Sequence, residues 1–395
     1  MSLSRPRCGS GLPSGCRTTG AVAAWPDPSP DAGRRSGAGV CLGLRVCALP
    51  VDVKDLTPAW LSGVLGTEVV DVEVLDHAFA TNQRVRIGLA YATPGAGPAS
   101  LFVKLAPLDP VHREMIGASG MGEREARFYA DVAPSVDLRV PRAYHAATAD
   151  DGSFVLLLED LAAGGCEFSD GAWGVKADAA ATALEELARF HTRFQDPAAR
   201  AAVAPWLAVP QPAHSGFAAQ LLRQVLDEHG DVLTPAYIAA GELYAEHHGR
   251  LDELWHAGPQ TYIHGDTHIG NVFLDRGRVG FHDWGLSRMS TPLRDVSYFL
   301  TMTVDPEERR RSERDLIRLY LDALRSAGGP DISFDEAWAV HRVQAGYTVV
   351  ATFLVFMPSY ASAEAQVLGG DLRRRSELAL EDLEVVDAMR AALAV

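Results

Sequence analysis

Lysine is nearly absent: Lys54, Lys104 and Lys176 are the only three among the 36 basic residues of this 395-residue chain. That scarcity makes a lysine inside a strand informative. Cysteine is also rare in the body of the chain. Cys8, Cys16, Cys41 and Cys47 fall in the leading stretch and Cys166 stands alone, with no Cys-x-x-Cys pair and no histidine near them. This excludes a cysteine zinc module and fits a reducing cytoplasm. No apolar run reaches membrane-spanning length; the longest, Tyr347 to Met357, reads as a buried helix. Positive charge is in deficit, and a net charge of −15 argues against general affinity for nucleic acid or for anionic membranes. The same charge is compatible with a cationic small-molecule partner.

Hydrophobic residues make up 47% and charged residues 22%, a globular balance. The bias toward Ala, Gly, Arg and Asp reads as a GC-rich bacterial genome. Residues 1–49 are rich in Gly, Ser, Pro and Arg and lack periodicity. They read as a disordered leader or as sequence upstream of a misassigned start. Ordered patterning begins at Val51, with Thr57-Pro58 as a helix start. Strands are expected at Val69 to Leu75, Arg84 to Tyr91, Ser100 to Ala106 and Ser153 to Leu158, with a helix from Glu123 to Val132. After Leu161 the spacing turns helical, at Ala179 to Phe194, Phe217 to Leu226, Pro235 to Leu254 and Asp315 to Ala327. The expected fold class is α+β: a small β-rich N-lobe over 50–161 and a larger α-helical C-lobe over 162–395.

The most specific segment is His264-Gly-Asp266-Thr-His-Ile-Gly-Asn271, followed by a short hairpin and Asp283-Trp-Gly. Its order and spacing follow the H-x-D-x-x-x-x-N and D-x-G pattern of phosphoryl transfer from ATP. Asp266 is expected to orient a substrate hydroxyl. Asn271 and Asp283 are expected to hold Mg2+ on the phosphates, since magnesium favours one or two protein oxygens plus phosphate and water. Val272 to Leu274 and Val279 to His282 read as hairpin strands centred on Gly277, which puts Asn271 opposite Asp283.

Such chemistry also needs a cation on the phosphates and a group to hold it. Lys104 lies inside the apolar run Leu101-Phe-Val-Lys-Leu-Ala106. Its expected partner is Glu125, which shares a helix face with Phe128, Tyr129 and Val132.

Phe-Val-Lys104, Glu125-x-x-Phe-Tyr, Leu156-Leu-Leu-Glu-Asp-Leu161, Leu187-Ala-Arg-Phe-His191 and the 264–285 segment occur in one order. Together they resemble the aminoglycoside phosphotransferase and choline kinase superfamily, within it the ecdysteroid-kinase-like (CHK kinase-like) group and its bacterial relatives. The resemblance runs from about residue 51 to near the end. It implies a protein-kinase-like bilobal fold with ATP between the lobes and Asp266 as catalytic base. It further implies Asn271 and Asp283 on magnesium, Lys104 on phosphates held by Glu125, and Glu159, Asp160 and Leu161 as the hinge reading adenine. His264 would orient the catalytic loop, Asp295 would cap the next helix and brace that loop, and His191 would be structural. The implied partner is a small-molecule hydroxyl acceptor (aminoglycoside, amino alcohol, sugar, steroid or polyketide-like), bound by a monomer or homodimer.

One departure stands out. The run Asp76 to Arg84, where such enzymes carry a glycine-bearing phosphate loop, has no glycine. Side chains of Thr81, Asn82 and Gln83 are the expected substitutes. Two other readings remain open: a nucleotide-binding kinase-like protein without turnover, and a metallohydrolase using His264, Asp266 and His268 on one strand face.

Overall fold

The computed structural model describes residues 49–79, 82–208, 215–357 and 362–395. The expected leader, apart from Leu49, and the expected phosphate-loop residue Thr81 lie outside them.

Thr57 accepts a hydrogen bond from the Trp60 N–H and Pro58 opens α1 (Pro58–Leu65), as the Thr-Pro pair predicts. Five antiparallel strands follow: β1 (Val69–Phe79), β2 (Gln83–Tyr91), β3 (Ser100–Leu105), β4 (Ala143–Thr148) and β5 (Phe154–Glu159), in the order β1-β2-β3-β5-β4. Between β3 and β4 run α2 (Pro110–Ser119) and α3 (Met121–Arg127), and α3 passes into a π turn over Phe128–Val132. Strand β4 and helix α2 were not anticipated. Asp109-Pro110, whose carboxylate caps the His112 N–H, was the available signal for α2.

Alternation decides the sheet's faces. Val85, Ile87, Leu101, Val103, Leu105, Val155 and Leu157 pack with Leu61 of α1 on one side. Residues between them point to the other side, where Arg84 pairs with Lys104, Arg86 with Phe102 and Lys104 with Leu156. Thus Lys104, Arg84 and Arg86 share one face of the sheet, the face turned to the rest of the chain.

The remainder is mostly helical: α4 (Ala177–Arg193), α5 (Pro197–Val203), α6 (Ser215–His229), α7 (Pro235–His256), α8 (Pro292–Met302), α9 (Pro306–Ser326), α10 (Phe334–Gln344), α11 (Tyr347–Thr352), α12 (Ala363–Asp382) and α13 (Val385–Leu393). Two small ladders interrupt the helices. Strand β6 (Thr261–Ile263) pairs β9 (Arg288–Ser290), and β7 (Val272–Asp275) pairs β8 (Arg278–Phe281). The protein-kinase-like α+β arrangement is therefore the one that forms. Its largest core joins Phe128 and Tyr129 beside α3, Leu187 and Phe190 of α4, Phe281 and Trp284 of the hairpin segment, and Phe299 of α8.

Two expectations need correction. The glycine-free stretch is mostly strand: β1 continues to Phe79, which pairs with Gln83. Gln83 does not face a ligand. It is fully buried and its Nε2 donates to the carbonyls of Val51 (2.9 Å) and Ala106 (2.7 Å), tying the chain entry and the end of β3 to β2. The β7–β8 register also differs by one residue. Arg276 (φ 52°) and Gly277 (φ 85°) both adopt left-handed backbone, giving a two-residue turn that pairs Asp275 with Arg278. Asn271 consequently faces His282, whose N–H donates to its carbonyl at 3.0 Å, and Asp283 lies one residue beyond.

Gln83→Ala removes both bonds and leaves the Val51 and Ala106 carbonyls without that donor. It should lower unfolding free energy by about 2 kcal/mol in urea titrations, whereas Asn82→Ala, at a half-buried side chain whose oxygen already lacks a partner, should cost far less.

Candidate active site

Lys104 is buried with its Nζ 2.7 Å from Glu125 Oε1, 3.0 Å from Glu125 Oε2 and 3.1 Å from Asp283 Oδ2. One ammonium from β3 thus joins a carboxylate from α3 and another from the segment after β8. Burial alone would push the ammonium down, but Asp283 and Glu125 outweigh it and hold Lys104 above its ordinary value. Burial and the like charge of Asp283 raise Glu125 to about 7, against the pull of Lys104. Burial opposes ionisation of Asp283 too, yet Lys104 and Arg84 hold it well below the usual carboxylate range. Asp283 is therefore the fully ionised member. Its backbone is left-handed (φ 63°, ψ 68°), which turns the carboxylate back toward β3.

The Asp266 loop leaves β6 at Ile263 and is anchored from α8. Asp295 Oδ2 accepts the His264 N–H (2.7 Å) and Oδ1 accepts the Gly265 N–H (2.8 Å). Thr267 Oγ1 donates to the Asp295 carbonyl (3.0 Å), and Thr303 Oγ1 donates to the Thr267 carbonyl (2.7 Å). His191 holds Asp295 from α4, with Nε2 at 3.3 Å from Oδ2 and Nδ1 at 2.9 Å from the Tyr320 hydroxyl. Asp295 thus braces the loop but does not cap its helix: Thr291 occupies the cap position. Gly265 is at φ 83°, and a Cβ there would lie 2.5 Å from the Leu286 carbonyl oxygen, so only glycine fits.

Within the loop, Asn271 Nδ2 donates to Asp266 Oδ2 (2.8 Å) and to the Asp266 carbonyl (3.0 Å). His268 Nδ1 accepts the Gly270 N–H (3.0 Å), leaving Nε2 to face Asp266 Oδ2 at 3.5 Å. Oδ2 of Asp266 is therefore held from two sides, while Oδ1 has no partner among the described residues. His264 is spent on the backbone: Nδ1 accepts the Asp266 N–H and Nε2 donates to the His282 carbonyl (3.0 Å). Burial pushes His264 down, which keeps it neutral. The hydrolase geometry fails for that reason, and because residues 264–268 form a loop and not a strand. Among the described residues, no group of three or more His, Cys, Asp or Glu could hold a metal.

Above these groups lies a cavity of about 220 Å³ lined by Lys104, Glu125, Glu159, Asp160, Leu161 and Asp283, among others. Asp160 Oδ2 meets Arg86 Nη2 at 2.9 Å, and Arg139 holds Glu159 through Nη2 at 2.8 Å and Nη1 at 3.0 Å. The Asp160 and Leu161 carbonyls accept the Gly164 and Cys166 N–H groups, while the Leu161 and Ala162 N–H groups have no backbone acceptor among the described residues. Asn82 sits at the β1–β2 turn with its side-chain oxygen buried and unpartnered, outside this lining. Arg84, 3.9 Å from Asp283, and Arg86 were missed from sequence. Their alternation with buried Val85 and Ile87, one of them opposite Lys104, was the readable signal. A larger depression of about 760 Å³ between α4 and α9 holds none of these residues.

The sequence profile of the phosphotransferase enzyme family matches residues 82–330, which span β2 to β5 of the sheet, the Lys104 triad and the Asp266 loop. The chain belongs to this family. The family is one of phosphotransferases, and the site's lysine, carboxylates and loop all fall inside the match. Among solved structures, a Ralstonia eutropha protein assigned as an aminoglycoside phosphotransferase is 18% identical, covers 84% of this chain and 98% of its own, and has a TM-score of 0.49. Choline kinase LicA from Streptococcus pneumoniae is 13% identical over 84% of this chain and 98% of its own, TM-score 0.46. Macrolide 2'-phosphotransferase MphH from Brachybacterium faecium is 16% identical over 78% and 96%, TM-score 0.42. No curated protein matches the chain. Among the described residues no helix is long and apolar enough to cross a membrane.

Asp295 is fully buried, and though burial opposes ionisation, His191 and the Gly265 N–H hold it below its ordinary value. A carboxylate depressed in the folded state stabilises above its unfolded value, near pH 4, and that stability is lost as pH falls through the folded value. Asp295→Asn should therefore cost about 2–3 kcal/mol at pH 7, where the amide nitrogen would face a backbone N–H, of His264 or of Gly265, whichever way the carboxamide turns. The gap from the parent protein should shrink below about pH 4, as read by urea unfolding at both pH values.

Proposed function

We propose that this phosphotransferase moves the γ-phosphoryl group of ATP to a hydroxyl of a small molecule, with residues 50–161 as the nucleotide lobe and 162–395 as the lobe of catalytic loop and acceptor. The observation that carries this reading is the orientation of Asn271. Its amide nitrogen is spent on Asp266, so its carboxamide oxygen and the Asp283 carboxylate are hard oxygens left for a cation. That donor set fits magnesium, which when bound would neutralise charge on the phosphates.

The chain's own residues do the rest. Lys104, kept cationic by Glu125 and Asp283, meets the phosphates as a point charge, and Arg84 adds a second cation beside Asp283. Leu161 and Ala162 offer N–H groups to the base, while the Arg86–Asp160 pair stiffens the hinge across β2. Asp266, held at Oδ2, accepts the hydroxyl proton at Oδ1 as the acceptor oxygen bonds to phosphorus and the bond to the β-phosphate oxygen breaks. Catalysis rests on positioning and electrostatics more than on base strength.

Asp266→Ala should lower turnover by about a thousandfold with nucleotide affinity nearly unchanged. Asp283→Ala should weaken magnesium-nucleotide binding by about tenfold or more, as read by calorimetric titration. Near-normal turnover in the first variant or unchanged binding in the second would overturn the respective assignment.

A further inference from the structure

Arg294, in the first turn of α8, is only 5% exposed, yet its Nε and Nη1 are buried without a hydrogen-bond partner. No described carboxylate lies within ion-pair reach of it. Its guanidinium lies 3.6 Å from the centroid of the Tyr347 ring, which eases the charge but satisfies no N–H. Arg288, on β9, has its Nε in the same state. Folded proteins rarely leave such donors unmet, so two in one place ask for an acceptor from outside.

The surroundings are cationic. Burial, then Arg294, push Arg288 down, and the opposing carboxylate of Asp252 on α7 does not offset them. His256, at the end of α7 with Nδ1 2.7 Å from Ser290 Oγ, is pushed down to about 3, first by burial and then by Arg294 and Arg288. It stays neutral and supplies no further charge.

This cluster is continuous with the Asp266 loop. His268, 3.5 Å from Asp266, has its ring centroid 6.3 Å from that of Tyr298. Tyr298 lies 5.6 Å from Tyr347, and Tyr347 lies beneath Arg294. Arg294 and Tyr298 stand one turn apart on the same face of α8. An aromatic wall therefore leads from the loop's carboxylate to an unpartnered guanidinium.

We propose that the acceptor is an anionic alcohol, its carboxylate or phosphate held by Arg294 and Arg288, its apolar body against Tyr298 and Tyr347, and its hydroxyl at Asp266. This rests on the reading of Asp266 as the hydroxyl's partner. The anionic group takes no part in the transfer; its role is binding and orientation through the planar guanidinium fork. The same two guanidiniums repel a polyammonium acceptor.

The test is a calorimetric titration of the full chain with 4-(hydroxyalkyl)benzoates of graded chain length, their carboxamides, and the matching phenylphosphonates. At one length or more, an anionic probe should bind about tenfold or more tighter than its carboxamide. The phosphonate arm tells a phosphate-bearing acceptor from a carboxylate-bearing one. Arg294→Met should abolish the preference and Arg294→Lys should keep part of it, with unfolding midpoints and nucleotide affinity unchanged. Arg288→Met covers the case in which Arg294→Met fails to fold. Carboxamides binding as well as both anionic series, no binding by either anionic series, or a preference surviving in Arg294→Met would overturn the proposal. Titrations run without nucleotide keep it separate from the donor site: an intact anion preference beside absent ATP binding would sink the donor reading alone.

Discussion

A single buried ammonium holds the molecule's two halves in register. Lys104 reaches that position because strand alternation sends Val103 and Leu105 into one core and leaves the residue between them facing the other. It remains charged there only because Glu125 and Asp283 arrive from different elements. Loss of one carboxylate would leave charge stranded out of water, a penalty larger than the net worth of the pair. The geometry of α3 and of the segment after β8 is thereby constrained by electrostatics as much as by packing.

A second carboxylate does for the Asp266 loop what Lys104 does for the cleft. Asp295 accepts two consecutive backbone N–H groups that no strand or helix would otherwise satisfy. His191 and Tyr320 hold it from behind, so the loop's shape is set by α4, α8 and α9 together. Asp266 and Asn271 need no conformational freedom of their own: one oxygen of Asp266 is tied by Asn271, and the other faces outward.

Much of this arrangement could be read from residue order. The 264–285 spacing, Lys104 inside an apolar strand and Glu125 on the face of Phe128, Tyr129 and Val132 all depend on local periodicity, which sequence carries directly. The hairpin register did not follow, because it turned on Arg276, a non-glycine residue in left-handed backbone. Gln83 looked like a ligand donor because its partners, Val51 and Ala106, are distant in sequence. Arg84 and Arg86 were passed over in a chain whose basic residues are almost all arginine. Arg294 was hidden for a further reason: it sits beside Asp295, and nothing in the order Leu-Arg-Asp tells which of the two side chains lacks a partner. Tyr347, which sequence alone placed in the core, is the ring beneath it. The chain's overall negative charge gave no hint of that local reversal of sign.

Phe128 and Trp284 lie nearly parallel, with centroids 3.7 Å apart and planes 5° from one another, both out of solvent. Glu125 is one helical turn before the first ring, and Asp283 immediately precedes the second. The two carboxylates that flank Lys104 are therefore mounted on opposite plates of one stacked pair. Swinging α3 outward alone would uncover both ring faces at a cost of several kcal/mol. The helix and the Asp283 turn should move as one part or not at all, so the cleft around Lys104 is built preassembled.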